Sequence, residues 1–358
     1  MKEKIKIILK LLLETSVIVS IVIFSVMPVS CKITESGIQI LGGDYKPPQI
    51  QKVIVEDANT VSLYFSEEVK LDVNVISCGE DHNVGSNVSY DESKTRVSVI
   101  MEEEMEIGKS YELFGSVTDE TGNSLTFLVP FKGYNSHVPK MIITEFQTES
   151  VSSQRKDEKA EGIYRNEYVE FVALSAGNLA GLEFVSANDG EEAKFEFPPV
   201  EVKQGEVLVL HLRNRGNGCI NENESNLSLA YSGYSTNGVR DLWSESEATA
   251  LGNKTDIILL RNSADESILD CVMYREEKVT EWGKKFEGYA DLVSASGIYE
   301  GGELEYAMNV ISKSNGKVFL RTDVRDVLKE AKNNPDFKYP VGNSGDLWTI
   351  GESSAGTL

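Results

Sequence analysis

From Gln49 to Phe131 apolar residues recur at every second position. Val53 and Val55, then Val61, Leu63 and Phe65, set the pattern, and the stretches 73–76, 97–101, 111–117 and 125–131 continue it. A period of two puts alternate side chains on one face, as a half-buried strand requires. Turn formers separate the runs: Asp57-Ala58-Asn59, Asp91-Glu92-Ser93, Gly108-Lys109 and Asp119-Glu120-Thr121-Gly122-Asn123. Short strands with Gly, Asn and Asp at the corners predict a β-sandwich or barrel. A second set starts after Lys140, with strands expected at 141–146, 166–172, 179–184, 195–197, 205–210, 256–260 and 268–274. One short helix is expected over 324–332, where Leu328 and Ala331 share a face and Asn333-Asn334-Pro335 ends it. Two stretches, 213–251 and 275–314, carry no strand pattern and are expected to be long loops, which are usually functional when they lack structure of their own.

The N-terminus follows other rules. Residues 1–10 hold four lysines against one glutamate, and an apolar stretch interrupted by Glu14 leads to Pro28-Val29-Ser30-Cys31. A basic start, an apolar run and small residues before a cut site describe a secretory signal peptide. Val29-Ser30-Cys31 resembles a bacterial lipobox, which implies cleavage after Ser30 and acylation of Cys31, palmitate being one such acyl group. The alternative is an uncleaved anchor, since residues 7–29 reach the roughly 20 positions that span a bilayer. Either way the body of the protein is expected outside the cytoplasmic membrane, in the cell envelope. Residues 31–47, with Gly37, Gly42-Gly43 and Pro47-Pro48, read as a tether.

Two resemblances refine the picture. Val61-Ser62-Leu63-Tyr64-Phe65-Ser66-Glu67-Glu68-Val69, then Gly108-Lys109-Ser110-Tyr111 and Asp119 to Asn123, resemble the bacterial Ig-like domain of the surface-layer and adhesin type over residues 48–134. Ile143-Thr144-Glu145-Phe146, Glu167-Tyr168-Val169-Glu170-Phe171, Leu179-Ala180-Gly181, Gly205 to Leu210, Asp256 to Leu260 and Asp270-Cys271-Val272-Met273-Tyr274 occur in the order of the lamin-tail domain. Arg321, Asp346 and Trp348 fit its closing segment, so that resemblance covers residues 137–358. Together they imply an all-β protein of two Ig-like sandwich domains joined by residues 134–139.

Composition narrows the partners. The chain carries 57 acidic and 35 basic residues, and removing the four lysines and two glutamates of residues 1–30 shifts its net charge from −22 to −24. Such a charge repels phosphate backbones, so nucleic acid is not an expected partner. The membrane is expected to be met through the lipid, and the macromolecular partner to be a protein or a glycan.

Catalytic patterns are sparse. The three histidines, His82, His137 and His211, form no H-E-x-x-H pair, and His211 continues an apolar strand. Gly233-Tyr234-Ser235-Thr236-Asn237 lacks the second glycine of a nucleophile elbow. Gly108-Lys109-Ser110 lacks the upstream glycine of a phosphate loop and follows Glu102-Glu103-Glu104. Asp81, Asn83, Gly85, Asn87, Ser89 and Glu92 have the spacing of a calcium loop, but Ser86 stands where that loop needs glycine. No cofactor or metal is expected. With Cys31 assigned to lipid, three cysteines remain, an odd number that cannot all pair within the chain; a Cys219–Cys271 disulfide is one option because an exported protein often meets an oxidising environment. The expected function is a non-catalytic, lipid-anchored module that binds or spaces another macromolecule. The alternative is an exported hydrolase with its site in the long loops of the second domain. Tyr231, Tyr234 and Trp243 are the candidate partner-binding residues, since aromatics on a polar loop give contact area at small entropic cost.

Overall fold

The computed structural model describes residues 33–34, 37–38, 44, 46–72, 77–78, 87–148, 160–247, 250–310, 317–334, 337 and 344–358. The signal segment with Cys31, the expected strand at 73–76 and the first half of the calcium-like pattern lie outside them. No described helix is long and apolar enough to cross a membrane.

The chain has an all-β, sandwich-type fold. Its first part contains β1 (Ile50–Val55), β2 (Thr60–Phe65), β3 (Lys70–Leu71), β4 (Ser77–Cys78), β5 (Val88–Tyr90), β6 (Arg96–Ile100), β7 (Ser110–Thr118) and β8 (Ser124–Lys132). One sheet runs β1-β2-β6-β5; in the other, β7 pairs with β8, β3 and β4. Val61, Leu63, Phe65, Val97 and Val99 from the first sheet meet Leu71, Leu113, Val117 and Phe127 from the second in one core. The predicted corners are real turns. Asp57 accepts the amides of Asn59 and Thr60, both at 2.8 Å, and Asp119 accepts those of Thr121 and Asn123 at 2.9 and 2.8 Å. Gly122 completes the second turn at φ 92°, where a side chain would be strained. Gly108-Lys109 makes the turn that starts β7.

The second part is built from two larger sheets. One runs β14 (Arg240–Trp243), β13 (Val207–His211), β10 (Tyr168–Ala173), β9 (Met141–Gln147), β18 (Lys317–Arg321) and β19 (Trp348–Glu352). The other runs β12 (Phe195–Glu196), β11 (Leu182–Ser186), β15 (Asp256–Asn262), β16 (Ile268–Arg275) and β17 (Met308–Asn309). Phe146, Phe171, Leu208 and Phe319 from one sheet pack on Phe184, Ile258, Leu260 and Tyr274 from the other. Each sheet is also covered outside. Helix α1 (Lys284–Ser296) lays Phe286, Ala290 and Val293 on Ile257, Leu259, Cys271 and Met273. Helix α2 (Val324–Asn333) covers Ile142, Val172 and Leu174. Burial on both faces explains why these strands read as near-continuous apolar runs such as Ile257-Ile258-Leu259-Leu260.

Three expectations change. The stretch 275–314 is not an unstructured loop, because α1 lies within it, with its buried residues at the i, i+4, i+7 spacing of one helix face. The stretch 213–251 contains β14, which pairs parallel with β13 in the register Leu208 with Arg240 and His211 with Trp243. Cys219 and Cys271 are not bridged to each other: Cys271 is sealed under α1, while the Cys219 thiol donates to the Arg215 carbonyl at 3.6 Å.

Among the described residues no strand pairs across residues 134–139. That stretch is nonetheless pinned to the second part, because the Asn135 amide donates to the carbonyls of Asn178 and Ala180, both at 2.7 Å.

Candidate functional site

The three aromatic candidates have different fates. Tyr231 is 59% exposed, whereas Trp243 is 1% exposed and lies in β14 rather than in a loop. Tyr234, at φ 74° in a turn closed by Ser235 N–H on the Ser232 carbonyl, packs against the Tyr168 ring at 4.8 Å. Only Tyr231 therefore stands as an open surface group. Two neighbours missed in the sequence join it. Gly218 and Tyr231 are linked by a backbone hydrogen bond, and Ile220 and Leu229, two residues further along each arm, are each 39% exposed. Isolated apolar residues in a polar stretch give no periodic signal, so only the fold shows that both are left exposed.

The loop is held from beneath by the buried Glu222. Its carboxylate accepts the amides of Leu229, Ala230 and Asp241 at 2.8, 3.1 and 3.0 Å. Arg240 donates from its guanidinium to the carbonyls of Glu222 and Glu224 and binds Glu206 at 2.9 Å. Asn221 accepts the Trp243 amide at 2.6 Å. A buried carboxylate and guanidinium, each with three hydrogen bonds, fix the arms before any partner arrives, which lowers the ordering cost of binding.

Beside the loop lies a cleft of about 790 Å³, lined by residues 191–196 and Pro198, by Asn221 and Asn223, and by residues 243–246. Trp243 lines it. Its indole stacks on His211 with centroids 3.8 Å apart and planes 9° from parallel, and its Nε1 has no acceptor among the described residues. Below, His211 Nε2 lies 2.6 Å from Asp241 Oδ1, both side chains fully shielded from water. Burial pushes the Asp241 carboxyl up, and the histidine offsets part of that rise. Glu192 and Glu245 are exposed at the cleft, Glu191 is held by Arg261 at 2.5 Å, and Lys194 is held by Glu183 at 2.5 Å.

Residues 139–350 match the family TP_1001_2nd, described as a protein second domain. The chain belongs to that family. The TP_1001_2nd segment begins just before β9 and ends inside β19, so it takes in both large sheets, the loop and the cleft. An uncharacterized protein of Treponema pallidum (strain Nichols) is 26% identical over 169 residues, which is 47% of this chain and 40% of that protein. The match thus spans well under two thirds of that relative's length. A crystallised N-terminal part of the bacterial S-layer protein SbsC aligns at a TM-score of 0.23 and 15% identity, covering 64% of this chain and 44% of that one. A DUF4876 family protein from Bacteroides thetaiotaomicron VPI-5482 aligns at 0.27 and 12%, covering 75% and 84%. Both scores are too low to transfer anything to this chain.

The TP_1001_2nd domain also buries three carboxyls whose protons are held unusually firmly. Burial raises Glu167 to about 7, Glu170 to about 8 and Asp256 to about 6. Perturbed carboxyls are candidate acids and bases in a catalytic site. Here each is committed to structure. Glu167 accepts the Ala250 amide at 2.8 Å, and Glu170 accepts Thr144 Oγ1 and the Gly356 amide, both at 2.6 Å. Asp256 accepts Ser186 Oγ at 2.7 Å and the amides of Gly252 and Asn188, both at 2.9 Å. Glu145, beside Glu170, accepts the Tyr168 hydroxyl and binds Ser354 Oγ at 2.5 Å, so this pair clamps the C-terminal segment to the sheet.

Proposed function

We propose that this chain is an exported envelope protein, anchored through an acylated Cys31, that does no chemistry and binds or spaces another macromolecule. The Ig-like and lamin-tail resemblances belong to this reading. One observation carries it: a loop fixed by the buried Glu222 and Arg240 holds Ile220, Leu229 and Tyr231 out to solvent. Exposed apolar groups on a fixed loop supply contact area that a partner can cover. The partner is met through that face, while the lipid and tether set its distance from the membrane.

The competing reading, an exported hydrolase, has the His211–Asp241 pair in its favour. That imidazole lies under Trp243 with no exposed surface, and a general base must come within hydrogen-bond reach of the proton it takes. Assays of the full chain on ester and glycan substrates separate the two, and turnover lost on His211→Gln would establish the hydrolase.

Two measurements test the proposal. Cys31→Ala is expected to abolish metabolic lipid labelling and leave an unprocessed precursor; wild-type chain that takes up no lipid label removes the anchor. Tyr231→Ala is expected to reduce capture of envelope components by immobilised protein without moving the melting temperature. Undiminished capture by that variant removes the loop from the binding face.

A further inference from the structure

We infer that the two parts of the chain are locked into one rigid strut at residues 133–139, with Asn135 as the side chain that fastens the joint. This rests on the spacing half of the reading above and deepens it. The fold itself sets how far the Tyr231 loop stands from the tether.

Domains that share only a modest interface move against each other by default. Here the linker leaves them no slack. Beyond β8 the chain stays paired with the first part: the Gly133 amide donates to the Lys109 carbonyl at 2.9 Å, and the Gly108 amide to the Gly133 carbonyl at 3.0 Å. Two residues later it is already paired with the second part. The Asn135 side-chain amide donates to the carbonyls of Asn178 and Ala180, both at 2.7 Å, and its oxygen accepts the His137 amide at 3.0 Å. The His137 carbonyl then accepts the Asn178 amide at 3.0 Å, and its imidazole Nε2 lies 3.1 Å from Glu201 Oε1. Tyr134 alone stands between the two sets of bonds, and one residue spans at most about 3.6 Å.

Direct contact restricts what swing is left. Gly108, in the turn before β7, sits so close to the second part that a Cβ added there would lie 2.6 Å from the Ala180 Cβ and 3.0 Å from the Pro199 Cβ. Its φ of 68° is a second reason for glycine at that corner. Lys132, at the end of β8, reaches Glu196 of β12 at 3.9 Å. A hinge needs a few residues free to absorb changes in φ and ψ. Between a paired Gly133 and a paired Asn135 this joint has one, and Gly108 blocks movement on its side. The contact is narrow, so it fixes orientation while the two cores remain separate clusters.

The test is double electron–electron resonance on the full chain in detergent. Nitroxides are carried on p-acetylphenylalanine in place of Thr126 and Lys329, exposed positions on β8 and α2, which leaves the native cysteines unlabelled. One narrow distance distribution is expected. Inserting Gly-Ser-Gly between Tyr134 and Asn135 adds a flexible reach of about 10 Å and should broaden the distribution by a comparable amount. Asn135→Ala removes both carbonyl bonds and should broaden it to a smaller extent. Both changes lie outside the two cores, so the far-ultraviolet circular dichroism of each variant should match wild type. A broad wild-type distribution overturns the inference, and so does either variant that keeps the wild-type width. If the wild-type distribution is broad while Tyr231→Ala still loses envelope capture, the joint falls and the module reading stands. If it is narrow while that variant captures normally, the binding loop falls and the strut stands.

Discussion

Asp270 ties the two sheets of the second part together, and its removal should be among the costliest single changes in the chain. It lies on β16, fully buried, and Oδ2 accepts the Ile143 amide of β9 at 2.7 Å and Arg321 Nη1 of β18 at 3.1 Å. Both partners belong to the opposite sheet. Asp270→Ala strands the Ile143 N–H, at about 1–3 kcal/mol. It also leaves the buried Arg321 guanidinium to Asp323, a carboxylate that is 25% exposed. Breaking a buried pair by removing one member typically costs about 3–5 kcal/mol in total. For a domain of this size each kcal/mol lowers the melting temperature by roughly 2–4 °C, so a fall on the order of 10 °C is expected. Scanning calorimetry and urea unfolding of the full chain measure both quantities. The double variant Asp270→Ala/Arg321→Met removes the buried guanidinium as well, and should be more stable than the sum of its single changes by about 1–3 kcal/mol. A single-variant loss below about 1 kcal/mol, or strict additivity in the double variant, refutes a cross-sheet tie.

The other predictions concern pH and cooperativity. Glu167, Glu170 and Asp256, at about 7, 8 and 6, keep their protons in the folded chain at pH values where the unfolded chain has lost them. Stability should therefore fall as pH rises from about 5 to 8. Each carboxyl that is protonated only in the folded chain removes at most roughly 1.4 kcal/mol as the pH climbs by one, and a urea midpoint that rises over that range contradicts this. Because the cores of residues 48–134 and 137–358 are separate clusters, calorimetry should resolve two unfolding transitions. One two-state transition for the whole chain would show that they fold as a unit.

Much of this architecture is legible in local sequence. The alternation of Val61, Leu63 and Phe65 settles which face of β2 is buried, and Asp57 and Asp119 encode turns with their own side chains. The continuous apolar run 257–260 marks a strand covered twice, and the amphipathic spacing of Phe286, Ala290 and Val293 was available to find α1. What could not be read depends on contacts between residues distant in the chain. Trp243 and Tyr231 are both aromatics in one polar stretch, yet pairing with Val207–His211 draws Trp243 under the sheet edge while the paired arms hold Tyr231 out. Glu222 resembles any surface glutamate until three backbone amides converge on it. The cleft exists only because residues 191–196 and 243–246, some fifty positions apart, come together to line it. A local pattern records which side of an element avoids water. Which element covers that side, and which polar groups are left unspent at the edge, is decided by packing between segments that the pattern does not connect.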